Sequence, residues 1–359
     1  MQLWLRPRQL VLWRAFDMRV LCLVDGPVKP PDRWMWNHLP EEAQQDEVDF
    51  LWASPADRFP KWGKFLSYYP QYLALGWRAM QACRRKRYDV IVAWESKTGF
   101  PFGALRSLRG MNTPPLVIFA FSFKGVAASF SLVSRNFMRG IDHVTVLFPA
   151  EATYYEQVLG LPSAHMTVCP FGWHDLCKNV ELVENGNFVF SFGRSYRDYK
   201  TFIEAVEDLP VKVIINTRKF TLKGLTIPSN VTVNEMMPER EYARLLISAR
   251  FVAIPLQETR HAAGESALVQ AMAAGKAVVA TRTPSTSYYV EDGVTGVLTP
   301  PKSAEAMREA CLYLLNHPEE CRSMGVAARR RYEERFTSEH AARCQYAVLQ
   351  KVAQMQREG

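Results

Sequence analysis

Short runs of apolar and β-branched residues recur along this chain, and between them lie segments whose apolar residues follow a helical period. Strands buried on both faces read as continuous apolar runs, and strand–helix repetition is how parallel α/β sheets appear in sequence. In the first half the runs are 19–24, 89–94, 115–121, 143–148 and 166–169. In the second they are 188–192, 211–216, 231–233, 251–255, 277–280 and 297–298. Helical patterns occupy 239–249, 265–274, 303–316 and 339–352. A single core seldom grows beyond about 250–300 residues, so a chain of 359 is expected to divide. The expected fold class is α/β, with two successive Rossmann-like sheets. The polar stretch 175–187 interrupts the alternation and reads as a linker, with the boundary near Asn179. This places a first domain over 18–178 and a second over 179–338.

Forty-four Lys and Arg against 36 Asp and Glu leave a net charge of +8, which favours an anionic partner: nucleotide, phosphate, nucleic acid or acidic lipid. No nucleic-acid motif accompanies the charge, so nucleic acid is set aside. Seven cysteines, an odd number without a C-x-x-C pair, read as free thiols in a reducing cytosol and offer no metal site. No run of 18 apolar residues occurs, and Arg6, Arg8 and Arg14 interrupt any signal-peptide core in the first 17 residues. A cytoplasmic protein is expected. Residues 59–87 interleave Trp62, Phe65, Tyr68, Tyr69, Tyr72 and Trp77 with Lys61, Lys64, Arg78 and the run 84–87. That mixture, with the first 17 residues, suits peripheral contact with the inner face of a membrane. It suits equally a half-buried helix with a solvated basic end.

Neither G-x-G-x-x-G nor G-x-x-x-x-G-K-[ST] occurs, which argues against a dinucleotide dehydrogenase and a P-loop NTPase. Two other segments carry chemistry. In 257–275 a long loop follows a buried strand and leads into the helix ESALVQAMAA, closed by Gly275. At its start Gly264, Glu265 and Ser266 offer unpaired backbone N–H groups and the positive end of the helix dipole to a diphosphate. Gln270, one turn beyond Ser266 on the same face, suits an attached ribose. The segment also reads as an ordinary amphipathic helix with Gln270 solvated. Glu258 and His261 in the loop are candidate acid/base groups or simply solvated side chains. In SFGRSYRDYK, residues 191–200, Gly193 permits a turn at a strand's carboxyl end, and Ser195 lies beside the cations Arg194, Arg197 and Lys200. Clustered cations there neutralise a leaving diphosphate without a metal, although each arginine taken singly is an ordinary surface charge.

At this point the residues resemble glycosyltransferase family 4, nucleotide-sugar enzymes of two-domain GT-B architecture. AMAAGKAVVA at 271–280 and VEDGVTGVLTP at 290–300 are similar to that family's signature, as are NHPEE at 316–320, Met324-Gly325 and RFT at 335–337. Gly193, Arg194 and Arg197 resemble its phosphate loop, with arginine in place of lysine and a shorter loop. Residues 142–148, 159–162 and PFGWHD at 170–175 resemble the segment leading into its linker. The family's two glutamates eight positions apart correspond here to Ala262 and Gln270, and FSFKG at 121–125 replaces the usual histidine segment. The resemblance marks a divergent branch.

It implies two domains facing a central cleft, a terminal helix 339–359 packed back on the first domain, and no cofactor. It also implies metal-independent, retaining transfer of a sugar, UDP-linked, to a glycan or lipid-linked acceptor hydroxyl. Arg194 and Arg197 take the catalytic role at the diphosphate. Gly193, Ser195, Lys200, Glu258, His261, Gly264, Glu265, Ser266 and Gln270 take the donor site. The acceptor side then falls at strand ends of the first half, on Asp25, Gly26, Glu95, Lys97, Ser122 and Lys124, each equally readable as a loop residue. The rival readings are an epimerase of the same architecture and an inactive nucleotide-binding scaffold.

Overall fold

The computed structural model describes residues 17–27, 34–54, 70–109, 113–122, 138–181, 186–235 and 237–358. The first sheet contains β1 (Arg19–Val24), β2 (Glu47–Trp52), β3 (Val90–Ala93), β4 (Leu116–Ile118), β5 (His143–Val146) and β6 (Met166–Val168). Its helices are α1 (Pro70–Arg85), α2 (Ser96–Arg109) and α3 (Pro149–Leu159). The second sheet contains β7 (Phe188–Phe192), β8 (Lys212–Asn216), β9 (Val231–Asn234), β10 (Phe251–Ile254), β11 (Val278–Thr281) and β12 (Gly296–Thr299). Between and after these strands come α4 (Tyr199–Val206), α5 (Glu239–Ser248), α6 (Glu265–Ala273), α7 (Thr286–Tyr289), α8 (Ala304–Asn316), α9 (Pro318–Arg335) and α10 (Ser338–Glu358). Both sheets have six strands paired in parallel, as the alternation of the sequence implies.

Strand order decides where a ligand can sit. The first sheet runs β2-β1-β3-β4-β5-β6, so its order reverses between β1 and β3. The second runs β12-β11-β10-β7-β8-β9 and reverses between β7 and β10. At such reversals neighbouring loops leave in opposite directions and open a crevice beyond the strands' carboxyl ends. Alternate residues along each strand feed cores on its two faces. Leu21, Leu23, Ile91 and Ala93 pack with Tyr72, Phe102 and Tyr155, while Val20, Cys22, Val90 and Val92 pack beneath α10. In the second sheet Val252 and Ile254 face α6 and α9, and Phe251 and Ala253 face α4 and α8.

β2 had no counterpart among the apolar runs. Its residues EVDFLW alternate charged and apolar, because it lies at the sheet edge with one side toward solvent; Lys86 and Tyr88 bind its Asp49 at 2.6 and 2.8 Å. The chain crosses between sheets just after β6: Phe171 already packs on the second core, and Trp173 N donates to Phe336 O at 3.1 Å. It returns at Thr337, beside Gly172, and α10 then buries Ala342, Tyr346, Leu349 and Val352 against the first sheet. This return corrects the expectation of seven free thiols. Cys169, one residue past β6, is joined to Cys344 on α10 by a disulfide, their Cα atoms 5.7 Å apart. The two are separated by 175 positions, so spacing carries no trace of the pair. The other five cysteines are free.

Candidate active site

β7 ends on a glycine because the backbone turns there with φ of 104°, and a Cβ would collide with the Arg197 guanidinium. Tyr199 Oη and Thr217 Oγ1 donate to the Gly193 carbonyl at 2.6 and 2.8 Å. Arg197 folds beneath its own loop, Nε donating to Phe192 O at 2.9 Å and Nη1 to Ser195 O at 3.1 Å. Burial lowers its pKa from the ordinary value, opposed by the neighbouring Tyr199 and Glu265. Arg194 and Ser195 stand exposed at the tip, and Arg194 has no hydrogen bond or ion pair among the described residues. The two arginines named together from the sequence therefore occupy unlike positions. Arg194 is open to a ligand; Arg197 braces the loop that carries it.

The loops following β7 and β10 are stitched together across the strand reversal. Gln257 N donates to Tyr196 O at 2.9 Å and Asp198 N to Pro255 O at 3.2 Å. Leu256 N is anchored on Thr281 Oγ1 at 2.9 Å, and Gly264 enters α6 with φ of 89°. Ser266 and Gln270 lie on the less buried side of α6, while Ala267, Leu268 and Val269 enter the core. Gly275 closes the helix with φ of 66°, and Lys276 N reaches back to Ala271 O at 3.0 Å.

Glu265 differs from its expected role. Its buried carboxyl accepts from Ser285 Oγ, and burial raises it above the usual carboxylate range, opposed by Ser285 and by the nearby amides of Glu265 and Ala263. Its side chain is engaged by Ser285 inside the protein, at the start of the helix whose first amides form the predicted set. Lys200 and Glu258 are exposed on a cavity of about 950 Å³ shared with Asp198, Arg260, Arg282 and Lys302. Asp198 and Gln257 of the stitched loops line it too, whereas Gly193, Gly264 and Gln270 are not among its walls. His261 turns its ring edge-on to Tyr154 of α3, with centroids 5.4 Å apart.

Tyr242 was not legible as a site residue. It lies on α5, edge-on to Phe192 with centroids 5.1 Å apart, and donates to Gln270 Oε1 at 2.6 Å. The signal in sequence was a hydroxyl on the apolar face of an amphipathic helix, since a buried tyrosine needs a polar partner. Because Oε1 is engaged, Gln270 offers its NH₂ group to a ligand. On the expectation that the site takes UDP, Gln270→Ala should weaken its binding by roughly 0.5–1.5 kcal/mol, the net worth of one hydrogen bond. Gln270→Glu keeps one oxygen for Tyr242 and presents the other to ribose hydroxyls, so affinity should hold. Calorimetric titration with UDP and its deoxyribose analogue checks this: equal loss for both ligands would remove Gln270 from the ribose.

At the reversal of the first sheet the structure brings together side chains 72 positions apart. Lys97 Nζ lies 2.8 Å from Asp25 Oδ2 and 3.0 Å from Glu95 Oε2, and Tyr72 Oη donates to Asp25 Oδ1 at 2.5 Å. Burial lowers the Lys97 pKa, but the two carboxylates outweigh it and hold the ammonium above its ordinary value. Ser122 N donates to Ser96 Oγ at 2.9 Å, next to this cluster, and a Cβ at Gly26 would meet open space. Lys124 lies outside the described residues. The cluster offers carboxylate oxygens and one ammonium, a set suited to sugar hydroxyls. Across the cleft Tyr289 of α7 reaches the first domain, its Oη donating to Leu147 O at 3.4 Å while accepting from Phe171 N of the crossing segment at 2.8 Å.

Comparison with known proteins agrees with this architecture. Residues 10–172 match the family model "Glycosyl transferase 4-like domain", and residues 177–331 match "Glycosyl transferases group 1". O-antigen chain mannosyltransferase C of Escherichia coli is 29% identical over 58% of this chain, which spans 60% of that relative's length. Sucrose-phosphate synthase from Thermosynechococcus elongatus superposes with a TM-score of 0.68 at 16% identity, covering 93% of this chain and 99% of that one. Anabaena HepE in complex with UDP superposes with 0.66 at 17% identity, covering 93% and 100%. With its two halves matched in order by these two models, on a pair of parallel sheets that face one another, the chain belongs to the GT-B glycosyltransferases of the family 4 type.

Proposed function

We propose that this protein transfers a sugar from a nucleoside-diphosphate sugar, UDP-linked, to an acceptor hydroxyl with retention at the anomeric carbon and without a metal ion. The observation that carries the reading is the stitched pair of loops at the β7/β10 reversal, which holds the loop carrying exposed Arg194 against the loop that leads into α6 and Gln270. In the transfer the bond from the anomeric carbon to the diphosphate oxygen breaks and a bond to the acceptor oxygen forms. The acceptor proton passes to the departing diphosphate. Arg194 and the α6 amides stabilise the charge that develops there, where fixed donors act more strongly than in water. The complex of the similar Anabaena HepE with UDP supports the choice of nucleotide. The Asp25–Lys97 cluster is the acceptor side in this scheme. Incubation with a panel of nucleotide sugars should release nucleoside diphosphate, with the product's anomeric configuration read by NMR. EDTA should leave the rate unchanged; a strict requirement for Mn²⁺ or Mg²⁺ would sink the metal-free scheme.

The acceptor side lies near a surface suited to a membrane. Leu73 and Trp77 of α1 are 58% and 43% exposed, and Arg84 follows on the same face. Residues 55–69, with most of the aromatic and basic residues singled out in sequence, and the N-terminal 16 lie outside the described residues. Among the described residues no helix is long and apolar enough to cross a bilayer. We propose that this face of α1 rests on an anionic membrane that presents the acceptor. Each basic residue near such a surface contributes about 1 kcal/mol, so replacing Arg84 and Arg85 by alanine should lower binding to phosphatidylglycerol vesicles roughly 30-fold. Co-sedimentation at low salt checks it; unchanged partitioning would remove α1 from the membrane.

A further inference from the structure

The donor loop has no acidic side chain at position 262, yet a carboxyl group lies against that residue. It comes from the other domain. Glu151 belongs to the first turn of α3, beyond the carboxyl end of β5, and is completely buried although it is ionisable. Its Oε2 accepts from Leu147 N at 3.1 Å and its Oε1 is 3.3 Å from Tyr155 Oη; the Ala262 amide faces the same carboxyl and lowers its pKa against the effect of burial. Two further contacts bind the same regions. The His261 ring meets Tyr154, the neighbour of Tyr155 on α3, and Tyr289 Oη donates to Leu147 O at 3.4 Å.

We propose that Glu151 is a positioning residue of the donor site: from the first domain, its carboxyl group holds the Ala262 amide and so sets the conformation of the loop 259–264. The inference rests on the donor-site reading above. Its physical content is that the loop is completed across the cleft. His261 N donates to Thr259 Oγ1 at 3.1 Å within the loop, and Leu256 and Gly264 anchor its two ends. Between these anchors, the first turn of α3 supplies the acceptor for the Ala262 amide. Binding of a nucleotide and approach of the two domains are then coupled through one buried group, because the loop that frames the donor is ordered by contact with α3.

Hydrogen exchange of the full-length protein tests this without depending on turnover. Glu151→Leu fills a similar volume but has no acceptor, whereas Glu151→Gln retains a carbonyl oxygen for the Ala262 amide. In the leucine variant, amides of 259–264 are expected to exchange about tenfold faster, while those of β1, β3 and α10 keep their protection. The glutamine variant should stay within about twofold of the native protein. UDP affinity, measured by calorimetry, should fall in the leucine variant and be restored in the glutamine variant. If both variants leave loop exchange unchanged, or both accelerate it equally, the assignment is overturned. Should Glu151→Leu fail to fold, Ala262→Pro removes the amide from the other side, and unchanged exchange at 260, 261 and 263 overturns the proposal in the same way. A native protein that binds no nucleotide refutes the proposed function alone, since loop exchange still reports on Glu151.

Discussion

Replacing Arg194 by alanine is expected to lower the transfer rate by about 10²- to 10³-fold, the usual cost of removing one donor from a developing oxyanion, with no change in melting temperature. The reason is its position. The side chain is exposed and makes no hydrogen bond or ion pair among the described residues, so the folded protein loses nothing when it is cut back. Arg197→Ala should behave differently. Its guanidinium holds the carbonyls of Phe192 and Ser195, and truncation leaves the loop without its brace. Both kcat and melting temperature should fall. Steady-state kinetics beside scanning calorimetry separates the two cases. A normal rate in the Arg194 variant would remove this loop from the diphosphate.

Stability should fall as pH rises from about 4.5 to about 7, and Glu151→Gln should remove much of that slope. Burial pushes the Glu151 carboxyl from its ordinary value of 4.5 up to about 7, with the charge of Glu265 adding to the effect and the amides of Leu147 and Ala262 and the Tyr155 hydroxyl opposing it. Tyr289 faces both carboxyls. Below the lower value Glu151 is protonated whether folded or unfolded, and no cost arises. Between the two values the unfolded chain releases the proton that the folded chain keeps, so the unfolded state gains. Above about 7 the full cost stands, about 3 kcal/mol at 1.36 kcal/mol per pKa unit. Glu265, also raised by burial, contributes a slope of the same sign, so the quantity to read is the difference between native protein and variant. Chemical denaturation from pH 4.5 to 8 provides it. Parallel curves for the two proteins would show that Glu151 does not titrate in this window.

Which segments become buried strands, which become amphipathic helices, and which loops carry cations or helix starts at strand ends can be read from the order of residues alone. These properties are local. The period of the apolar residues tells which face is buried, and Gly193 and Gly264 mark turns that a Cβ would obstruct. Gln270 could be placed one turn from Ser266 because helical geometry needs no knowledge of neighbours.

Strand order belongs to the tertiary structure, and most of the site's detail follows from it. The β1/β3 adjacency brings Asp25 to Lys97 and Tyr72. The β7/β10 adjacency stitches one predicted loop to the other and puts Lys200 and Glu258 on a cavity that Asp198 and Gln257 of the same loops also line. Tyr242 meets Gln270 only because α5 and α6 lie on the same face of the second sheet. The edge strand β2 was hidden because a strand with one solvated face need not be continuously apolar. Cys169 meets Cys344, and Glu151 meets Ala262, across separations of 175 and 111 positions (262 − 151). No periodicity encodes such meetings. They depend on how two domains fold separately and then face each other, and side chains that look solvated or structural in sequence acquire their partners at that step.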